Sequence, residues 1–343
     1  MLTVADILTA LHPDSSCVLG RDVAITELCV DSREARKGAF FVAMPGEHVD
    51  GHMYVLRAIE AGAVGALVSE PVAGLPLVDV GASVSALPAP PWQLLVADTL
   101  AALQQIARWL RQKRADLTVV GVTGSVGKTT TKEAIAAVLG QRFAILKNPG
   151  NRNNEIGLPL TLSHLEPRHR FAVLEMGMYD LGEIALLCDM AHPQVGIVTN
   201  VGPTHLERLG SLERIAQAKA ELVQALPSDG VAVLNGDDPR VAAMASLTSA
   251  RIVILGKAGA EKAPTVSASQ VTTLGLAGCE FTVSVRDEPS LGLAGGERRV
   301  RTAMLGAHAV EPALFAIAVG LLAGLEWPEI DAGLQALGPG PRL

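Results

Sequence analysis

At 343 residues the chain is long enough for two domains, or three small ones. Its hydrophobic share of 49% and charged share of 18% exclude a disordered chain, and with aromatics at only 3% the cores must be built from Ala, Val, Leu and Ile. A net charge of −7 argues against nucleic acid as a partner, because a phosphate backbone demands clustered Lys and Arg.

The N-terminus, MLTVADILTALHPDSS, lacks the basic region and long apolar stretch of a signal peptide. Residues 1–115 read as a first unit of short apolar runs punctuated by Gly and Pro: GAFFVAMPG, a helical stretch near Met53–Ala63, then GALVSEP. WQLLVADTL predicts a buried strand ending in Asp98, and Leu100–Arg114 has helical periodicity. The basic run RWLRQKR closes that helix, where cations suit the helix dipole.

Residues 116–338 read as a central domain. It opens with the buried strand Leu117–Val122, a Gly-rich turn and a helix over Thr129–Leu139. FAVLEMG, QVGIVTNVG and GVAVLNGDD then predict further buried strands, with helices between them such as Ser211–Leu226. Strands alternating with helices imply a doubly wound, mostly parallel α/β sheet, which binds ligands at its strand C-terminal ends. SASQVTTLGLAGCEFTVSV and ERRVRTAML predict an antiparallel edge. The longest apolar run, Pro312–Leu325, is short of the roughly 20 residues that span a bilayer and reads as a buried core helix, so no membrane partner is expected. A last helix falls near Trp327–Leu337, and residues 339–343 read as the start of a linker. Cys17, Cys29, Cys188 and Cys279 are scattered, giving neither a metal knuckle nor a disulfide framework; a reducing, cytoplasmic setting is expected.

GVTGSVGKTTT (Gly121–Thr131), between a strand and a helix, is the strongest chemical signal. The loop around Gly124, Ser125 and Gly127 can point backbone N–H groups at phosphate oxygens, and the helix start adds partial positive charge. Lys128 can reach the β- and γ-phosphates, and Thr129 can ligate Mg²⁺. The pattern is a variant, because Val122 stands where the first glycine of a phosphate loop is usual. Glu175, at the end of a strand, is read as a metal carboxylate rather than a turn residue. A single loop histidine such as His205 is more often structural, and Lys219 in AQAKAEL reads on its own as a solvated helix residue. Asn151, Asn153 and Asn154 could cap a helix or contact phosphate, and the residues alone leave both open.

TGSVGKTTTKE, NRNNEIGLPLTL, LEMGMYDLGEI and TNVGPTHLERLGSLERIAQAKAEL together resemble the successive motifs of the Mur ligase family, which builds bacterial cell-wall peptide. The resemblance covers nearly the whole chain, and DSREARKGAFFVAMPGEHVDGH is similar to the family's UDP-sugar segment. It implies an ATP-dependent, Mg²⁺-requiring ligase that joins D-alanyl-D-alanine to UDP-MurNAc-tripeptide through an acyl phosphate. It also implies that Gly124, Ser125, Gly127, Lys128, Thr129, Thr130, Asn154 and His308 bind nucleotide, with Lys128 and Asn154 near the γ-phosphate. Thr129 and Glu175 would hold one Mg²⁺, and His205 a second, together with Lys219 carbamylated by CO₂. Asp31, Ser32, Arg33 and His52 would bind the UDP-sugar, in a protein expected to be a monomer.

Two departures from the family stand out. GAHAVEPA keeps Gly306 and His308 but has Ala309 and Pro312 where the family has asparagines near the adenine. The chain also reaches Leu343 where the family's C-terminal domain would begin, so that domain is expected to be lacking. The competing readings are another ligase of the same family and a nucleotide- or UDP-sugar-binding module without activity of its own.

Overall fold

The computed structural model describes residues 2–12, 23–46, 49–81, 89–204, 206–258 and 264–337. Residues 1–115 with Pro159–Glu166 form one compact unit, and Asp116–Leu158 with Pro167–Leu343 form the other.

The first unit contains β1 (Leu2–Thr3), α1 (Val4–Leu11), β2 (Ala24–Ile25), β3 (Leu28–Cys29), β4 (Phe40–Val42), α2 (Val55–Glu60), β5 (Gly65–Val68), β6 (Leu77–Asp79), β7 (Trp92–Leu95) and α3 (Thr99–Gln112). β1 pairs with β2, while β3, β4, β5, β7 and β6 form, in that order, an all-parallel sheet. Trp92 and Phe40 are fully buried, with ring centroids 5.8 Å apart. Gly65 lies so close that a Cβ there would sit 2.7 Å from the indole, so only glycine fits.

β7 stops at Leu95, short of the strand that the sequence predicts. Asp98 instead caps α3, its Oδ1 accepting from the N–H groups of Leu100 (2.8 Å) and Ala101 (3.0 Å). Arg111 is buried and donates to the Arg114 carbonyl, and the Lys113 ammonium lies 3.7 Å over the Trp109 ring and 3.1 Å from Asp6.

The second unit contains β8 (Thr118–Thr123), α4 (Lys128–Leu139), β9 (Ala144–Lys147), α5 (Gly157–Leu162, which continues into the first unit), β10 (His169–Glu175), α6 (Glu183–Ala191), β11 (Val195–Val198), α7 (Leu206–Leu209), α8 (Leu212–Gln224), β12 (Val231–Asn235), α9 (Pro239–Ala243), β13 (Arg251–Lys257), β14 (Val266–Thr273), β15 (Cys279–Val285), β16 (Gly296–Thr302), α10 (Val310–Leu322) and α11 (Trp327–Ala336). Its nine strands run β16-β15-β14-β13-β12-β11-β8-β10-β9. The pairs from β9 to β14 are parallel, and β15 and β16 add the antiparallel edge that the sequence predicts. β8 lies between β10 and β11, so the chain departs to either side of it and leaves a crevice at its C-terminal end.

α10 is the core helix read from the apolar run, buried from Pro312 through Gly320. It and α11 pack close to α4: a Cβ on Gly333 would lie 2.5 Å from the Val138 Cα, and one on Gly320 would lie 2.9 Å from a Val138 methyl. Among the described residues no helix is long and apolar enough to cross a membrane. Cys29, Cys188 and Cys279 are free and buried, while Cys17 lies outside the described residues.

Glu311, in the first turn of α10, is pushed by burial, and further by the charges of Asp237 and Asp238, from 4.5 up to about 7. Its folded value lies above its unfolded one, so its contribution is fully present below pH 4.5 and lost as pH rises through about 7. Glu311→Gln should therefore gain stability relative to the parent between pH 5 and pH 8. Denaturant unfolding of both chains at the two pH values checks this; equal differences at both would contradict it.

Candidate functional site

The crevice at the C-terminal end of β8 holds the glycine loop. Gly124 has φ +147° and approaches β11 so closely that a Cβ would lie 1.9 Å from the Thr199 hydroxyl. Gly127 (φ +85°) makes the left-handed turn into α4, whose first residue is Lys128. The loop is fixed by the turn after β11. Asn200 accepts from the Val126 N–H (3.0 Å) and donates back to the Val126 carbonyl (3.0 Å), which also accepts from the Thr199 hydroxyl (2.7 Å). The Ser125 N–H donates to the Asn200 carbonyl (3.0 Å), and its hydroxyl both donates to the Gly202 carbonyl and accepts from the Gly202 N–H. The Lys128 ammonium curls over the loop to the carbonyls of Gly124 (2.9 Å) and Ser125 (3.2 Å). Burial holds it below its ordinary pKa, opposed by the charge of Glu175. Thr129 and Thr130 are exposed at the start of the helix.

Glu175 ends β10 with only 3% of its surface exposed. One carboxylate oxygen accepts from the Thr129 hydroxyl (2.7 Å) and the other from the Asn153 amide (2.8 Å). Fully buried Asn148 binds both backbone groups of Glu175: its Oδ1 accepts from the N–H (2.9 Å) and its amide donates to the carbonyl (3.0 Å). Gly177 leaves room for Asn153, because a Cβ there would come within 3.0 Å of the amide. Asn154, which the residues alone left open, caps the start of α5 by accepting from the Gly157 N–H (2.9 Å).

Lys219 corrects the solvated reading of its helix. It is 2% exposed on α8, and burial, with the nearby Lys128 charge, pulls it from 10.5 down to about 7. A pocket is lined by Gly124, Lys128, Asn153, Asn154, Glu155, Gly177, Met178, Tyr179, Glu183, Leu187 and Lys219. The structure thus unites Gly124, Lys128, Asn154 and Lys219 around one space, next to the Thr129–Glu175 pair. His308 does not line it; it is exposed in the turn that enters α10. His205 lies outside the described residues. Sequence reasoning passed over Asn148, Asn200 and Lys132, and it did not separate Asn153 from its neighbours. Asn148 and Asn200 do offer a signal, a polar residue just after a strand, as in LK-Asn148 and VT-Asn200, whereas Lys132 lies inside α4 and offers none of that kind.

In the first unit, Asp31, Ser32 and Arg33 line a second pocket with Phe41, Met44, Tyr54 and Arg57. The Arg33 guanidinium grips Asp31 at 2.5–3.0 Å and lowers that carboxyl to about 2. His52 does not line this pocket. Its Nδ1 meets Asp50 at 2.6 Å and its Nε2 accepts from the Ser69 N–H at 2.9 Å, so the ring ties the turn before α2 to the end of β5.

The Mur ligase middle-domain model matches residues 122–320, and the Mur ligase catalytic-domain model matches residues 24–108. The chain belongs to the Mur ligase family. It is 38% identical to the UDP-N-acetylmuramoyl-tripeptide–D-alanyl-D-alanine ligase of Synechocystis over 97% of its own length and 66% of that protein's, just under two thirds. It resembles the crystal structure of MurF from Acinetobacter baumannii with a TM-score of 0.81 at 29% identity, covering 99% of this chain and 69% of that one. It also resembles the MurF ligase of Thermotoga maritima in complex with ADP, with a TM-score of 0.74 at 27% identity, covering 92% and 66%.

Gly124→Ala should distort the loop by about 1–3 kcal/mol of backbone strain, and nucleotide affinity should fall about tenfold or more. Val126→Ala, which trims an exposed side chain, should leave that affinity unchanged. Fluorescent-nucleotide titration distinguishes the two; equal affinities would contradict the loop assignment.

Proposed function

We propose that the chain provides the ATP and UDP-sugar sites of a ligase that joins D-alanyl-D-alanine to UDP-MurNAc-tripeptide. The observation that carries this reading is one pocket lined by Lys128 and Lys219 beside a buried Glu175 already bonded to Thr129, in a chain whose relatives bear that ligase's name. The loop from Gly124 to Thr130, with Lys128, would receive the phosphates of ATP. The Thr129 hydroxyl and the Glu175 carboxylate are hard oxygen donors that fit Mg²⁺, which commonly takes one or two carboxylates and completes its shell with phosphate and water. The ion would neutralise phosphate charge there.

The γ-phosphate passes to the terminal carboxylate of the tripeptide, breaking its bond to ADP and forming an acyl phosphate. The dipeptide amine then attacks that carbon, and the tetrahedral intermediate collapses to the amide with release of phosphate. This chain's residues orient the reactants, with Lys128 and Asn154 close to the transferred group. Burial favours a neutral Lys219 amine near pH 7. Such an amine can add CO₂ and lose a proton to become a carbamate, an anion suited to a second Mg²⁺ together with His205. The Asp31–Ser32–Arg33 pocket would take the UDP-sugar. We further propose a monomer in a reducing cytoplasm, which suits the buried free thiols.

Calorimetry with UDP-MurNAc, its dipeptide form and its tripeptide form, in the presence of Mg²⁺ and an ATP analogue, tests the assignment. The tripeptide form should bind most tightly, and Lys128→Ala should weaken the analogue but not the UDP-sugar. Preference for a shorter form would move the chain to an earlier ligase, and binding of no UDP-sugar would contradict the cell-wall reading.

A further inference from the structure

Lys132 lies one helical turn beyond Lys128 on α4 and is fully buried. Two like charges at i and i+4 repel, and a buried cation is costly unless it is bonded. Lys132 is bonded: its ammonium donates to the Asn148 carbonyl at 2.7 Å and lies 3.5 Å from the Gly150 carbonyl. It is 3.4 Å from Glu133 and 4.0 Å from the Glu175 carboxylate. With no exposed surface it cannot touch a ligand. Its partner Asn148 holds both backbone groups of Glu175 and, through its amide, the Arg152 carbonyl (2.9 Å) directly before Asn153.

We propose that Lys132 is a positioning residue: through Asn148 it braces the 148–153 turn against α4, so that Glu175, with Asn153 donating to one of its oxygens, is set for a divalent cation before nucleotide arrives. This rests on the nucleotide and Mg²⁺ reading given above. The brace acts on the metal side of the site only, because the glycine loop is fixed separately by Thr199 and Asn200.

The test is calorimetric titration of a non-hydrolysable ATP analogue into the parent chain, Lys132→Met, Asn148→Ala and the double variant, with and without Mg²⁺, after thermal unfolding has shown each to be folded. Metal-free affinity should stay within about threefold of the parent, whereas the Mg²⁺-dependent gain should fall about tenfold or more, as when a residue behind a metal ligand is lost. The double variant should be no worse than either single one, because the two cut successive bonds of one path, from Lys132 to the Asn148 carbonyl and from the Asn148 side chain to Glu175. Should Lys132→Met fail to fold, Lys132→Leu takes its place, because Asn148→Ala keeps the carbonyl that Lys132 bonds. A folded Lys132→Met, or failing that Lys132→Leu, with the parent's full Mg²⁺ gain would overturn the proposal, as would additive losses in the double variant. A parent chain that binds no analogue would instead overturn the nucleotide reading itself, and this proposal with it.

Discussion

The second unit is organised around the need to keep a carboxylate out of water and still useful. Glu175 is almost wholly buried at the end of β10, between β8 and the edge strand β9. A buried carboxyl group is tolerated only when its oxygens are hydrogen-bonded, and leaving one of them without its partner costs about 1–3 kcal/mol. Thr129 from α4 and Asn153 from the turn after β9 meet the two oxygens, while Asn148 fixes the backbone on both sides. Each of these partners constrains another element. β10 must be the neighbour of β8, as it is, for the helix after the glycine loop to deliver Thr129. Residue 177 must lack a Cβ for Asn153 to come in.

The same economy of space recurs where backbones approach. Gly124 lets the loop meet Thr199, Gly65 lets a strand pass under Trp92, and Gly333 lets α11 touch α4. In a chain with few aromatic side chains, close approach of small residues gives the packing density that larger rings supply elsewhere. In the second unit, buried Lys132, Glu175 and Lys219 gather with half-buried Lys128 at the C-terminal edge of the nine-stranded sheet. Ionisable residues of both signs gathered in a cleft at a switch point make this crevice the candidate ligand site.

The strands and helices were largely legible because buried parallel strands are short continuous apolar runs with turn residues after them. The glycine loop was legible because its parts are contiguous. What was hidden depends on partners far apart in the chain. Four asparagines between residues 148 and 154 look alike until Glu175, more than twenty residues on, selects Asn148 for its backbone and Asn153 for its carboxylate. Lys219 was read as solvated from its type, yet it lies on the buried face of α8 with Ile215, Leu222 and Val223. That spacing of four and three was the available signal. His52 sits in a motif but turns inward, which only the Ser69 N–H reveals. Ala309 and Pro312, where the resemblance leads one to expect asparagines, lie at the start of a helix buried almost all round.

The most direct test of the account is electron paramagnetic resonance of Mn²⁺ titrated with ADP into the parent chain and Glu175→Gln, a change that keeps shape and removes charge. Bound Mn²⁺ in the parent, weakened about tenfold or more in the variant, is the predicted result. Equal Mn²⁺ binding in both chains would show that the buried carboxylate does not hold the metal and would contradict the account.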